Sequence, residues 1–286
     1  MVNQNPFNDF LSFETHVFGL NSFIARYDPY LIRYGEYLFS VNALQSIKGA
    51  SETIPLIQPG ETILDLGCEQ NIFSLYLAYL GAQIIGIDLN PQVWPALEAQ
   101  QKKVEQATGK KLTLTFQAGD ATNLSFAEES VDKVISISSV EHMFSSDGHG
   151  DAMAIESIAR VLKPGGHAIL TVPMSNGGPF HESPTGDANF GYSYRLYTPE
   201  ALKERLLYHP KLETMRVQFL AQTTPDQRYQ NTHFIHFWVS LTPEERLKWD
   251  WANPIFASVF NPIIEEEEAK ERPETVNTAL VWLKKK

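Results

Sequence analysis

Between Thr62 and Leu220 the chain alternates short apolar runs with stretches of helical periodicity. Strand-like runs occupy Thr62–Leu66, Gln83–Ile87, Leu112–Gln117, Val131–Ser136, His167–Val172 and Met215–Leu220. Helical stretches over Phe73–Leu80, Gln92–Ala107, Ala152–Leu162 and Pro199–Leu207 fall among them. Strands apolar on both faces need cover on both sides, and parallel neighbours need a crossover between them. The alternation therefore predicts an α/β fold, an open parallel sheet with helices on both faces. Lys163-Pro164-Gly165-Gly166 reads as a helix stop and turn ahead of the fifth strand.

Outside this stretch the rhythm breaks. Tyr27–Ser40 reads as a helix, with Asp28 as cap and Pro29 in its first turn. After Ala221, Thr232–Leu241 reads as strand or short helix, and Pro243–Lys248 and Pro254–Phe260 as short helices. Glu265–Glu268 reads as a solvated helix end, and Thr278–Leu283 as a final strand. The expected organisation is a helical extension or lid over residues 1–50, then one core domain over 51–286 with an insertion at about 221–274. A chain of 286 residues fits one elaborated domain of this kind.

Net charge is −11, which disfavours a nucleic-acid partner, since proteins that grip phosphate backbones present basic surfaces. The single cysteine, Cys68, excludes an intrachain disulfide. Together with an N-terminus that lacks a signal-peptide pattern, it points to the cytoplasm. No apolar run approaches the roughly 20 residues that span a bilayer, so no membrane partner is expected.

The chemistry-bearing motifs follow the strands. Ile63-Leu64-Asp65-Leu66-Gly67 ends an apolar strand in an acid and a glycine, at the sheet edge where open parallel sheets bind ligands. Gly67 allows a tight turn and close backbone approach. Asp88 ends the next strand, 21 residues after Gly67, where an acid accepts from ribose hydroxyls. Gly119-Asp120-Ala121 follows the third strand and places an acceptor for an exocyclic amine. An ordinary strand-to-helix turn, or an Asp capping its own turn, is the plainer reading of each motif taken singly.

Asp65-Leu66-Gly67-Cys68, Asp88, Gly119-Asp120 and Arg160–Gly166 together resemble the successive motifs of class I S-adenosylmethionine-dependent methyltransferases. The resemblance covers about Glu61–Leu220, with Thr278–Leu283 matching the final strand. It implies a Rossmann-like seven-stranded sheet in the order 3-2-1-4-5-7-6, with strand seven antiparallel. It also implies S-adenosylmethionine as cofactor, with Asp65 and Gly67 around its methionine part, Asp88 and the adjoining Leu89 at the ribose, Asp120 and Ala121 at the adenine, and Ser138 facing the methyl donor. The family's Gly-x-Gly-x-Gly run is here Gly67-Cys68-Glu69-Gln70-Asn71. Glu69 is placed either to bond the cofactor's ammonium group or to crowd the site. Asn71 is the milder change, because Asn tolerates left-handed backbone angles. Cys68, Glu69 and Asn71 join the expected cofactor-binding set. The missing Gly-x-Gly-x-x-Gly fingerprint counts against a nicotinamide oxidoreductase.

Methyl transfer to oxygen usually needs a base. The run Ser138-Ser139-Val140-Glu141-His142 offers His142, and His181 sits after strand five. A Glu-x-x-Glu-His run binds a metal in ubiquinone-pathway O-methyltransferases. Ser138 replaces its first acid here, so no metal is expected. His233 and His236 lack a third ligand, and Arg195 is a candidate clamp for a substrate carboxylate or phosphate. Trp238, Trp249 and Trp251 read as a small core, an acceptor lid or a dimer contact. The expected activity is methylation of a small-molecule acceptor on oxygen or nitrogen. The rival is a catalytically silent binding or assembly subunit of the same fold, motivated by Glu69 and Asn71.

Overall fold

The computed structural model describes residues 9–10, 13, 16–17, 49–51, 54–68, 72–186, 193–221 and 263–286. The expected helix Tyr27–Ser40, the elements expected between Thr232 and Phe260, and the three tryptophans lie outside the described residues.

Among the described residues, ten strands form one large sheet and one hairpin. β1 (Thr62–Leu66), β2 (Gln83–Asp88), β3 (Leu114–Ala118), β4 (Val131–Ile137) and β5 (Leu162–Pro173) run parallel. β10 (Val276–Lys285) enters antiparallel between β5 and β8 (Leu212–Ala221). β6 (His181–Ser183) and β7 (Tyr194–Leu196) pair as a separate antiparallel hairpin. The large sheet runs β3-β2-β1-β4-β5-β10-β8-β9.

This order is the expected seven-stranded one, with the antiparallel strand in place, extended by one strand. β9 (Ile263–Glu265) pairs antiparallel along the outer edge of β8 and buries Ile264 against it. Three residues give no readable alternation, yet they cover the pairing edge that β8 would otherwise present to solvent.

Two apolar layers hold the sheet. One face packs α1 (Ile72–Tyr79) and α2 (Trp94–Thr108) through Phe73, Leu77 and Val104. Phe10 and Phe13 join this layer. The Phe10 ring sits 5.8 Å from Phe73 and 5.6 Å from Tyr76, and Phe13 sits 5.0 Å from both Tyr76 and Tyr79. The other face packs α3 (Gly150–Val161) through Ala154, Ile155 and Ile158. It also packs α4 (Pro199–Leu207), which starts as an α-helix and closes as a π-turn, and Ala269 of α5 (Glu266–Glu271). Among the described residues no helix is long and apolar enough to cross a membrane.

The Lys163–Gly166 turn lies inside β5 rather than before it. Leu162 pairs with Val131 and His167 with Lys133, so the intervening residues bulge out opposite Asp132. A Cβ on Gly166 would lie 2.8 Å from the Asp132 carbonyl oxygen, and Lys163 Nζ anchors the bulge on Asp132 Oδ1 at 2.7 Å.

Candidate active site

A cavity of about 540 Å³ opens at the carboxyl ends of β1, β2, β3 and β4. Gly67, Asp88, Leu89, Asp120, Ala121, Ser138 and His142 all line it, so seven of the sequence candidates meet in one place.

Gly67 holds φ +69, and its N–H donates to the Ile87 carbonyl at 2.8 Å. A Cβ at this position would lie 1.8 Å from Ser139 Oγ. The glycine is therefore required twice, by the left-handed turn and by the approach of the chain leaving β4. Asp88 Oδ1 accepts from the Asn90 N–H at 2.8 Å, and Asn90 in turn caps the turn at Pro91–Val93. Asp120 Oδ1 accepts from Thr122 N at 2.8 Å and Thr122 Oγ1 at 2.7 Å. Both acids cap their own turns and border the cavity. The two roles are compatible, because an ionised carboxylate offers about four acceptor positions.

Ser138 sits at φ +47 at the end of β4, a conformation that non-glycine residues avoid. Its N–H is shared by Thr171 O at 3.0 Å and Thr171 Oγ1 at 3.1 Å. These bonds hold the left-handed kink that turns the chain from β4 into the cavity wall.

Asp65 is not in the lining. It is buried beneath it, accepts from Ser74 Oγ, and leaves Oδ1 with no partner among the described residues. Burial pushes its carboxyl up to about 7, with the charge of Asp88 adding to the rise and Ser74 opposing it. Cys68 is likewise buried and does not line the cavity; it packs where a Cβ on Gly86 would lie 2.9 Å from its Sγ. Glu69 and Asn71 lie outside the described residues, as do His233 and His236.

His142 Nδ1 lies 2.6 Å from the Ser193 carbonyl oxygen. A carbonyl only accepts, so the ring carries its hydrogen on Nδ1 and keeps its basic lone pair on Nε2. Burial holds the His142 pKa below the usual 6.5, so the ring is neutral at pH 7. Its neighbour Glu141 is buried, with Oε1 3.8 Å from His142 Nε2 and Oε2 unpartnered. Burial pushes Glu141 up to about 8, which keeps it protonated at neutral pH.

The structure does not bring His181 to this cavity. It lies exposed on β6, its ring 5.2 Å from Tyr194. Arg195 cannot serve as a substrate clamp either. Its side chain is fully buried and its donors go to Met143 O, Gly148 O and Glu182. Sequence reasoning missed Thr122, Met143, Phe144 and Ser193, which also line the cavity. Met143 and Phe144 belong to an irregular loop without periodicity. Ser193 reaches His142 across 51 residues, a contact that no local signal announces.

Residues 64–170 match the family model described as a methyltransferase domain. That part of the chain is similar to methyltransferase domains. Its fold is that of the class I S-adenosylmethionine-dependent enzymes. The chain is 34% identical over 123 residues to a 2-methyl-6-phytyl-1,4-hydroquinone methyltransferase of Synechocystis sp., covering 43% of this chain and 34% of that protein. It is 33% identical over 125 residues to a ubiquinone biosynthesis O-methyltransferase of Cereibacter sphaeroides, covering 43% of this chain and 45% of that one. The chain thus spans less than half the length of these curated relatives. Among solved structures, an S-adenosylmethionine-dependent methyltransferase from Mesorhizobium loti superposes with TM-score 0.52 at 16% identity, covering 83% of this chain and 98% of that chain. The cyclase SpnF superposes with TM-score 0.53 at 21% identity, covering 83% and 82%. At such identities the likeness is one of fold, and a fold hosts more than one reaction.

Proposed function

We propose that this protein is an S-adenosylmethionine-dependent methyltransferase that acts on an oxygen or nitrogen of a small-molecule acceptor. One observation carries the reading: Gly67, Asp88 and Asp120 converge on a single cavity whose opposite wall carries a neutral histidine.

The residues present fit the cofactor. The volume of about 540 Å³ is in the range of roughly 300–1,000 Å³ that holds ligands of this size. Asp88 and Asp120 supply acceptors at the ends of neighbouring strands, as a ribose diol and an exocyclic amine require. The unpartnered Oδ1 of Asp65 adds a buried acceptor beneath the cavity. When bound, S-adenosylmethionine supplies a methyl group activated on a positively charged sulfur. The protein's part is to align an incoming nucleophile, keep water out and take up a proton. His142 is suited to the last task, since its Nδ1 hydrogen is fixed on Ser193 and the ring is uncharged at pH 7. The names of the quinol and quinone-pathway relatives support a small acceptor.

Calorimetric titration with S-adenosylmethionine and with S-adenosylhomocysteine tests the reading. Binding that weakens about tenfold or more in Asp88→Asn is expected, the ordinary size of one lost charge-assisted contact. No binding heat at millimolar ligand refutes it.

A further inference from the structure

The wall opposite the carboxylates is a loop, and what holds it lies outside the cavity. After the short turn at Val140–His142 the chain passes through Met143 and Phe144 to Gly148 before α3 begins. A loop of this kind leaves carbonyls without regular partners. Two of them meet one side chain: Arg195 donates to Met143 O at 2.9 Å and to Gly148 O at 3.1 Å, and Arg205 shares the Gly148 carbonyl at 2.6 Å. The same guanidinium lies 3.7 Å from the centre of the Phe144 ring, and it donates to Glu182 Oε1 at 3.1 Å. Asp151 sits behind it, 3.7 Å from Nε, and is itself held by Arg205 and the Tyr197 hydroxyl.

Arg195 also governs the far side of the His142 contact. It lies two residues after Ser193, at the centre of β7, and Ser193 O is the atom that fixes His142 Nδ1. Both ends of the His142–Ser193 contact are thereby tied to one residue. The histidine end is tied through Met143, the next residue along the chain. The serine end is tied through the two peptide bonds that lead to Arg195.

We propose that Arg195 is the positioning residue of this site: its buried guanidinium stacks on Phe144, holds the Met143 and Gly148 carbonyls, and so sets the wall that presents His142 to the cavity. The role needs a planar, forked, permanently charged group. Lysine has neither the flat face for Phe144 nor the fixed fork for two carbonyls and a carboxylate. Arg195 does not touch a reacting atom, and its effect runs through His142, Met143 and Phe144. The proposal rests on the reading above only for its kinetic consequence. The geometry of the wall stands apart from the reaction.

The test uses the full chain with three substitutions. Arg195→Lys keeps the charge but removes the stack and the fork. Phe144→Leu keeps an apolar side chain but removes the ring. Tyr197→Phe loosens the buried Asp151 network without touching the cavity, and controls for lost stability. The first readout is the ¹⁵N spectrum of the His142 ring, which reports the tautomer directly. The second is affinity for S-adenosylhomocysteine. In the wild type and in Tyr197→Phe the Nδ1–H form is expected to dominate. In Arg195→Lys and in Phe144→Leu a mixture of tautomers is expected, with product affinity lower by about tenfold, the effect of one misplaced wall. Because Phe144→Leu carries the same expectation, the test survives a poorly folding Arg195→Lys. A wild-type tautomer signal in whichever of the two variants folds overturns the proposal, and so does an equal tautomer change in Tyr197→Phe. Failure of the wild type to bind S-adenosylhomocysteine overturns the methyltransferase reading instead, and leaves the tautomer result to decide the role of Arg195.

Discussion

The tightest approach in the site is that of Gly67 to Ser139, and it supports a quantitative test. Replacing Gly67 with alanine imposes two separate costs. The first is conformational: at φ +69 an alanine pays about 1–2 kcal/mol for the left-handed region. The second is steric. The new Cβ would lie 1.8 Å from Ser139 Oγ and 2.7 Å from Ser139 Cβ. Rotation of the Ser139 hydroxyl leaves its Cβ at 2.7 Å, so the clash is not relieved without a backbone shift, and overpacking of this kind costs about 1–3 kcal/mol. A narrower unfolded ensemble returns about 0.4–1 kcal/mol. Gly67→Ala should therefore lose about 2–4 kcal/mol. Ser139→Gly removes both offending atoms, and alone costs about 0.5–1 kcal/mol in chain entropy. In the double variant only the conformational cost and the Ser139 cost remain. Its loss should fall short of the sum of the single losses by about 1–3 kcal/mol. Urea unfolding of the four proteins measures this coupling. Additive losses, within about 0.5 kcal/mol, would show that the strand-end approach is not what demands a glycine at position 67, and the account of the turn would fail.

Asp65 predicts a pH dependence of stability. Its carboxyl is raised from 3.8 to about 7 in the folded chain, so between these values the native state holds a proton that the unfolded state releases. Stability then declines as pH rises through this window, by up to about 4 kcal/mol from this group. Asp65→Asn stays neutral throughout, so its stability relative to wild type should rise by roughly 2 kcal/mol from pH 5 to pH 8 in urea unfolding; a difference that does not change with pH contradicts the burial argument. His142→Gln should lower kcat by about 10²–10⁴ with S-adenosylhomocysteine affinity nearly unchanged. Wild-type activity should fall on acidification with a midpoint below 6.5, as the ring gains a proton, and the Gln variant should lack that limb in a pH–rate profile. Asp151→Ala strips the half-buried Arg205 of its bidentate partner and leaves the buried Arg195 without the charge behind it, and should cost about 3–5 kcal/mol; a loss below about 1 kcal/mol in denaturant unfolding would mean that the cluster is not held by its charges.

What could be read from the sequence and what could not divide along one physical line. The parallel strands and the residues at their carboxyl ends were legible, because each is a local pattern, whereas the order of the strands was implied only by the family resemblance. An apolar run announces a buried strand, and the residue after it falls at the ligand edge whatever the rest of the chain does. Gly67, Asp88, Asp120 and Ser138 are all such residues, and all four line the cavity. Asp65 is placed differently, beneath the lining. It lies inside β1, two residues before the turn, so alternation takes its side chain under the sheet edge and toward Ser74 of α1. β9 escaped because three residues carry no period.

The far wall of the cavity had no local signature at all. His142 was readable as a candidate residue but not as a ring in a fixed tautomer, because the atom that fixes it belongs to Ser193. Arg195 was readable as a charge, and a charge invites a surface or substrate role; its complete burial follows from the loop carbonyls, Glu182 and Asp151, contributed by segments far apart in sequence. An arginine in that position has no cheaper solution. Removed from water, its two terminal nitrogens must find acceptors, while Nε has the Asp151 charge 3.7 Å away, and the irregular loop after β4 must find donors for carbonyls that neither helix nor sheet satisfies. Each need answers the other. The half of the cavity that carries Gly67, Asp88 and Asp120 is thus built from strand ends, which the sheet fixes. The half that carries His142 is built from a loop, and the buried guanidinium of Arg195 gives that loop a definite shape.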